Sequence, residues 1–302
     1  MKNNKLTVTI GMSAYNEEVN IRQLLENLLL QSDNFFVLKR IIVISDGSSD
    51  STVDEVKKVK SDKILLINDG KRKGKSNRLN EIVKMFSSDY LVILDADILP
   101  ANRKMLDNLI EPFLKRKNIG IISAKRIPIK ANSFFEETIN QSVEFKLRVF
   151  EKMNNGNNLY MCFGPCRAFS KRLVKKLSWP PTVAEDVYSY LFCRKSEYEF
   201  LYNPRAKILY KSPGNFKDHE KQSRRFKNGC GIMNKYFGDD YVKKEHHIPP
   251  RLLFESLGIW FKNNPLYLIY YLLILVSVRV KSIGNYDTGS KWNMSLSSKK
   301  LN

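Results

Sequence analysis

The chain has 302 residues, 43% of them hydrophobic and 27% charged. That length carries one large domain with an extension, and that balance excludes an intrinsically disordered chain. Lys and Arg number 51 against 31 Asp and Glu, a formal charge of +20, which favours polyanionic partners (nucleic acid, anionic lipid headgroups, phosphorylated substrates) without choosing among them.

Residues 6–12 form an apolar, β-rich run that leads straight into polar Tyr15, Asn16, Glu17 and Glu18. The run is too short for a secretory signal core and reads as a buried strand, so the main domain is expected in the cytosol. Residues 17–31 follow as a helix, with Ile21, Leu24, Leu25, Leu28 and Leu29 on one face. Residues 40–44 are a second strand, and Asp50 or Ser51 caps a helix reaching residue 60. Strands at 63–67, 90–94 and 119–124 alternate with helices at 75–86 and 102–117. This alternation of buried strands and helices predicts a parallel, doubly wound α/β sheet.

Beyond that point the pattern loosens. Residues 134–152 read as a long amphipathic helix, 187–194 as a short one, and 216–237 as a basic one. The boundary is set at 237: residues 1–237 form the main domain and 238–302 a C-terminal apolar helical extension. Within the extension, residues 265–278 (PLYLIYYLLILVSV) carry no charge, with Arg279 and Lys281 behind them. A spanning helix needs about 17–25 apolar residues, so this run is short. It is expected to associate with a membrane, lying on its surface or acting as a single anchor, and the alternative is a buried core helix. The four cysteines, Cys162, Cys166, Cys193 and Cys230, have no C-x-x-C spacing; they are read as reduced thiols, mostly interior, and not as a zinc site.

Five short segments hold residues suited to chemistry. Asp95-Ala96-Asp97 follows four apolar residues, so both acids sit at the carboxyl end of a strand, where open α/β sheets bind ligands. Two carboxylates so close repel, and a hard divalent cation shared with a diphosphate relieves that repulsion. Ser45-Asp46-Gly47-Ser48-Ser49-Asp50 is either a turn with a helix cap or a loop presenting Asp46 to a nucleobase or ribose. Gly70 and Gly74 enclose three residues where a Walker A loop needs four, which excludes a P-loop NTPase; Lys75, at a helix start, can still contact a phosphate. Glu185-Asp186 stands at a helix N-terminus, as a general base or as a capping acid. Gln222 and Arg225 share a helix face within a basic run, as a diphosphate clamp or as a solvated face.

Taken in order, these segments resemble family 2 glycosyltransferases of the GT-A fold. Ser13-Ala14-Tyr15-Asn16-Glu17-Glu18 resembles the family's first nucleotide-contacting loop, and Ser45 to Asp50 its aspartate-glycine-serine turn. Gly74-Lys75 with Leu79-Asn80 resembles the next segment, and Asp95-Ala96-Asp97 the metal motif. Ala184-Glu185-Asp186 resembles T-E-D, and Gln222-Ser223-Arg224-Arg225-Phe226 resembles Q-x-x-R-W. The resemblance covers about residues 6–230. Three positions depart: Ser45 stands where many members carry an acid, Ala184 replaces Thr, and Phe226 replaces Trp while keeping an aromatic ring for an acceptor sugar.

The resemblance implies a Rossmann-like GT-A sheet flanked by helices, and an inverting, metal-dependent displacement on a nucleotide sugar, with a UDP-sugar expected. It implies that Ala14, Tyr15, Asn16, Glu17, Asp46, Gly74, Lys75, Asp95 and Ala96 bind the donor, and that Asp95 and Asp97 hold Mg²⁺ or Mn²⁺. Asp186 is implied as the base, with Gly164, Glu185, Gln222, Arg225 and Phe226 on the acceptor and diphosphate side. His219 is read as a surface histidine, with an extra metal ligand as the alternative. The expected acceptor is a glycan or a lipid phosphate at the cytoplasmic face of a membrane. With few hydrophobic segments in the chain, single addition is expected over processive polymer synthesis. The competing classes are a basic nucleic-acid-binding protein, for which no motif is present and no nucleic-acid partner is expected, and a nucleotidyltransferase, whose Gly-rich basic loop is missing from residues 1–18.

Overall fold

A computed structural model describes residues 5–281, 296–299 and 301, without the side chains of 226–230, 281 and 296. The β-branched run at the start becomes β1 (Leu6–Ala14), followed by α1 (Ile21–Leu29), β2 (Phe36–Ser45), α2 (Thr52–Lys58) and β3 (Ile64–Asn68). Next come α3 (Lys75–Met85), β4 (Tyr90–Leu94), β5 (Ile98–Pro100), α4 (Met105–Lys115), β6 (Ile119–Pro128) and α5 (Phe134–Lys152). Then follow β7 (Cys166–Ser170), α6 (Lys171–Val174), α7 (Glu185–Lys195) and β8 (Glu199–Tyr210). The chain continues with α8 (Phe216–Ile232), α9 (Asn234–Phe237), α10 (Asp239–Glu245), α11 (Pro250–Asn263) and α12 (Pro265–Lys281).

The eight strands form one sheet in the order β3-β2-β1-β4-β7-β6-β8-β5. β1, β2, β3 and β4 are parallel, as the sequence predicts, but the expectation of a wholly parallel sheet is corrected. β7 runs antiparallel to both β4 and β6, and β5 antiparallel to β8. β7 (CRAFS) carries Arg167 in its middle, and β8 contains Pro204 beside a register shift, so neither shows the apolar run that marks a buried strand. The expected helix over 216–237 is broken at Met233, just after Gly229 and Gly231, both poor helix formers.

Side chains alternate across the sheet and build a core on each face. Val92 and Leu94 join one core with α1 and α4, while Leu91 and Ile93 join the other with α3 and α7. A third cluster seats α11 and α12 on α5: Ile139 meets Trp260, Leu268, Tyr271 and Ile274. Among the described residues no helix is long and apolar enough to cross a membrane. Cys162, Cys166 and Cys193 are buried free thiols, as expected; the side chain of Cys230 lies outside the described residues.

One close approach sets the height of α3 over the sheet. A Cβ added at Gly11 of β1 would lie 2.5 Å from Ile82 Cγ2. Gly11→Ala is therefore expected to destabilise the fold by about 1–3 kcal/mol through overpacking. Urea denaturation checks this, and adding Ile82→Val should recover part of the loss; an unchanged midpoint in the single variant would show that α3 does not depend on this contact.

Candidate active site

β4 delivers the two aspartates, and the chain around them is pinned on both sides. The Asp95 N–H donates to the Pro165 carbonyl at 2.9 Å, and Ile98 pairs with Tyr210. Gly74 (φ +88) turns the chain into α3 and places Lys75 at that helix's first position. The Lys75 ammonium lies 2.5 Å from Asp95 Oδ1 and 2.6 Å from Glu185 Oε1. Burial opposes its charge, but Asp95 and Glu185 outweigh burial and hold Lys75 above its ordinary range. The expected phosphate contact of Lys75 is thus preceded by an internal one: its ammonium joins the strand-end acid to the N-terminus of α7.

Glu185 and Asp186 are adjacent and behave oppositely. Burial disfavours a charged Glu185, yet Lys75 and Arg167 overcome it and hold the carboxyl at about 2. Arg167 is wholly buried; its Nη1 donates to Ser189 Oγ at 3.0 Å and its Nη2 lies 3.5 Å from Glu185 Oε1. Trp179 Nε1 donates to the same Ser189 Oγ at 2.9 Å, and Asn80 bonds the Trp179 backbone in both directions, tying α3 to α7. Among the described residues Asp186 forms no such ion pair. Burial first, then the Glu185 charge, push its pKa above the ordinary 3.8, against a weaker pull from Arg167. Its Oδ1 accepts from the Val187 N–H at 2.8 Å. A Cβ at Gly164 would lie 3.4 Å from Asp186 Oδ2 and 3.5 Å from Glu185 Oε1, so the missing side chain lets the backbone pass directly over both acids. A half-buried carboxylate with a raised pKa beside an open backbone is suited to taking a proton.

The loops after β1 and β2 zip together. The Asn16 N–H donates to Ser48 Oγ (3.1 Å), the Ser49 N–H to Asn16 Oδ1 (2.8 Å) and the Glu17 N–H to Thr52 Oγ1 (2.7 Å). The Arg72 guanidinium lies 3.9 Å from the centre of the Tyr15 ring, and Ala14 and Ala96 are buried at the strand ends. Asp46 faces inward. It accepts from the N–H groups of Lys73 (2.7 Å) and Gly74 (3.0 Å) and from Arg78 Nε (2.9 Å). Its carboxylate fixes the turn into α3.

The floor of the site is short of positive charge. Burial and then Asp95 raise the pKa of Asp97, offset in part by Lys299 and Lys75. Burial and then Asp97 raise Glu17 to about 8, again offset by Lys299. Among the described residues no three His, Cys, Asp or Glu side chains gather into a metal cage. Asp95 and Asp97 are nevertheless hard oxygen donors at one strand end, and a set of two carboxylates fits Mg²⁺ or Mn²⁺ shared with ligand oxygens.

α8 is tied at its N-terminus to the segment that carries Lys299: Asp218 Oδ2 accepts from the N–H (3.0 Å) and the hydroxyl (2.7 Å) of Ser297. Gln222 and Arg225 stand about one and two turns further along α8, and the Phe226 side chain lies outside the described residues. The surface reading of His219 is corrected. It is buried, edge-on to Phe135, and burial followed by the Lys146 charge lowers it to about 4.

A model of the family described as "Glycosyl transferase family 2" matches residues 9–178. The chain belongs to this family. It is a glycosyltransferase, and the matched span contains the loops after β1 and β2, the aspartate pair and Gly164. Among curated relatives, the poly-β-1,6-N-acetyl-D-glucosamine synthase of Staphylococcus epidermidis is 25% identical over 203 residues, 66% of this chain and 48% of that one. The synthase of the same name from Staphylococcus aureus (strain COL) is 37% identical over 93 residues, 30% of this chain and 22% of that one. The matches thus span less than half the length of these relatives. Two solved structures show the fold. A mannosyltransferase from Pyrobaculum calidifontis, in complex with GDP-Man and Mn²⁺, has TM-score 0.59 at 18% identity, covering 93% of this chain and 76% of that one. Glucosyl-3-phosphoglycerate synthase from Mycobacterium tuberculosis, with Mn²⁺, UDP and phosphoglyceric acid, has TM-score 0.55 at 17% identity, covering 81% and 80%.

Sequence reasoning about this glycosyltransferase missed Arg167, hidden in a short polar strand, and Lys299. The Lys299 ammonium donates to the carbonyls of Tyr15 (2.9 Å) and Asn16 (3.0 Å) and pairs with Glu17; Asn20 donates to the Lys299 carbonyl. No local pattern could reveal a contact across more than 280 positions. Because Lys299 is the main influence lowering Glu17, Lys299→Met is expected to move the Glu17 titration further above about 8. Carbon-13 NMR of the glutamate carboxyls reads this directly, and an unmoved Glu17 would show that the two groups do not meet in solution.

Proposed function

We propose that this glycosyltransferase carries out an inverting transfer of a hexose from a nucleotide sugar, with UDP as the nucleotide, to a hydroxyl of a saccharide or lipid-linked acceptor. The observation that carries the reading is the opposite tuning of two adjacent acids: Glu185 is locked as an anion, while Asp186 is raised and unpaired by any cation beneath the Gly164 backbone. Neighbouring carboxyls driven apart in this way take different roles. Asp186 is the group that accepts the acceptor's proton as the hydroxyl attacks the anomeric carbon. Lys75 and Arg167 keep Glu185 from competing for that proton, and Arg167 with Ser189 fixes the start of α7. The Tyr15–Glu17 loop and the Asp46-anchored turn shape the nucleotide pocket, while Gln222 and Arg225 steady the acceptor and the departing diphosphate.

Asp97 would hold Mg²⁺ or Mn²⁺, with Asp95 as the second acid, since Asp95 already faces Lys75. When bound, the ion supplies positive charge to the diphosphate. The Mn²⁺ named with the two solved relatives supports this choice. The curated relatives named as polymer synthases favour a second reading, repeated addition, and the product length from a defined acceptor separates it from single addition.

The reaction is placed at the cytoplasmic face of a membrane. One side of α12 packs on α5, while Leu266, Ile269, Leu272, Leu273, Val276 and Val280 are exposed. In sequence Lys262 precedes α12 and Arg279 lies near its end, in a chain of charge +20. An apolar helix face with basic residues near its ends suits the surface of an anionic bilayer.

Asp186→Asn should keep nucleotide-sugar binding while turnover falls about 10²–10⁴-fold, and Asp97→Ala should lose the Mn²⁺-dependent part of donor binding; full transfer in both variants would falsify the site. In the wild type the acid limb of the rate profile should lie above pH 3.8, because the base must be ionised and its pKa is raised. In a flotation assay with anionic vesicles, the wild type should bind and the Leu272→Glu/Leu273→Glu/Val276→Glu variant should not. A wild type that stays in the soluble fraction removes the membrane assignment.

A further inference from the structure

β6 ends at the same edge of the sheet as the site, and its Arg126 lacks what the two fully buried arginines have. Arg78 meets the carboxylates of Asp46, Asp69 and Glu81, and Arg167 meets Glu185. No carboxylate of the described residues pairs with Arg126. Its guanidinium instead lies 4.0 Å from the centre of the Phe163 ring and 5.6 Å from that of Tyr210. Its Nε is buried without a hydrogen-bond partner. The buried Tyr210 and Ser212 hydroxyls interact with each other, but neither makes a well-formed hydrogen bond. Burial keeps the Tyr210 phenol protonated, so it remains a donor.

The placement of this group is fixed by the fold. Phe163 precedes Gly164, whose backbone passes over Asp186, and Pro165 holds Asp95. Tyr210 pairs with Ile98, the residue after Asp97. Arg126 is therefore linked through Phe163 to the segment that passes over the proposed base, and through Tyr210 to the strand that follows the proposed metal acid. A cation held against a ring with an unmet N–H, next to two unmet hydroxyls, is a set of donors lacking an acceptor. An unpaired charge in such a place is costly unless something anionic fills it, and a tetrahedral oxyanion can accept from all three groups.

We propose that Arg126, seated on Phe163 and joined by Tyr210 and Ser212, forms a subsite for a phosphate ester group carried by the acceptor. The inference rests on the transferase reading above and deepens it by giving the acceptor a charge. A phosphate ester occurs in a soluble metabolite or in a lipid headgroup, and both present the same terminal oxygens to Arg126. Arg126 is here an acceptor-binding residue, and the proton transfer remains with Asp186.

The test uses the full chain and two probes: glycerol 3-phosphate in solution, and phosphatidylcholine vesicles with and without phosphatidic acid. Calorimetry and flotation are compared for wild type, Arg126→Gln, Arg126→Lys and Ser212→Ala, with UDP-sugar binding as the control for an intact fold. The expected result is that Arg126→Gln weakens binding of at least one phosphate probe about tenfold, as loss of a charge-assisted pair implies, with Arg126→Lys and Ser212→Ala in between. Loss on glycerol 3-phosphate points to a soluble acceptor; loss confined to vesicles containing phosphatidic acid points to a lipid headgroup. Equal binding of both probes by wild type and Arg126→Gln, or binding of neither by the wild type, overturns the subsite while leaving UDP-sugar binding and the transferase reading intact. Conversely, a wild type that binds phosphate esters through Arg126 but no nucleotide sugar keeps the subsite and overturns the transferase reading.

Discussion

The Lys75 bridge between Asp95 and Glu185 is the contact on which the rest of the site depends. Five carboxylates, those of Glu17, Asp95, Asp97, Glu185 and Asp186, crowd one edge of the sheet, and in a buried setting their mutual repulsion is costly. Three cations from distant parts of the chain moderate it: Lys75 at the start of α3, Arg167 inside β7 and Lys299 near the C-terminus. Lys75 reaches both Asp95 and Glu185 because Asp46 grips the backbone N–H groups of Lys73 and Gly74 and Gly74 supplies the left-handed turn. The buried pairing is therefore as much about position as about stability, since an ion pair out of water roughly repays its own desolvation.

What the three cations leave uncovered is where chemistry is expected. Asp97 and Asp186 both keep raised pKa values after their neighbours are counted, one on the strand side and one on the helix side. A divalent ion on a diphosphate answers the first and an acceptor proton answers the second. The Gly164 backbone passes over Asp186, and Phe163 before it carries the Arg126 guanidinium.

The C-terminal helices complete the architecture without forming a core of their own. Trp260 and Tyr271 are buried against α5, while among the described residues their outward neighbours on α12 are exposed. Beyond these helices the chain returns to the donor loop, where Ser297 meets Asp218 and Lys299 meets Tyr15 and Glu17.

The sequence by itself determined the local part of this protein. Continuous apolar runs marked β1 to β4 and β6, and the position of Asp95 directly after one of them placed that acid at the ligand edge. The order of short motifs from Tyr15 to Arg225 was enough to indicate the family. Tertiary structure decided the remainder. β7 and β8 carry Arg167 and Pro204 inside strands, and only pairing across the sheet shows that these segments are extended. The internal anchoring of Asp46 could not be read locally, because its partners lie 27 to 32 positions away. Glu185 and Asp186 are adjacent acids of equal standing until Lys75 and Arg167 arrive beside one and not the other. Local periodicity records which residues are buried; charge pairing between distant residues depends on where the folded chain sets them, and that is what separates a structural acid from a reactive one.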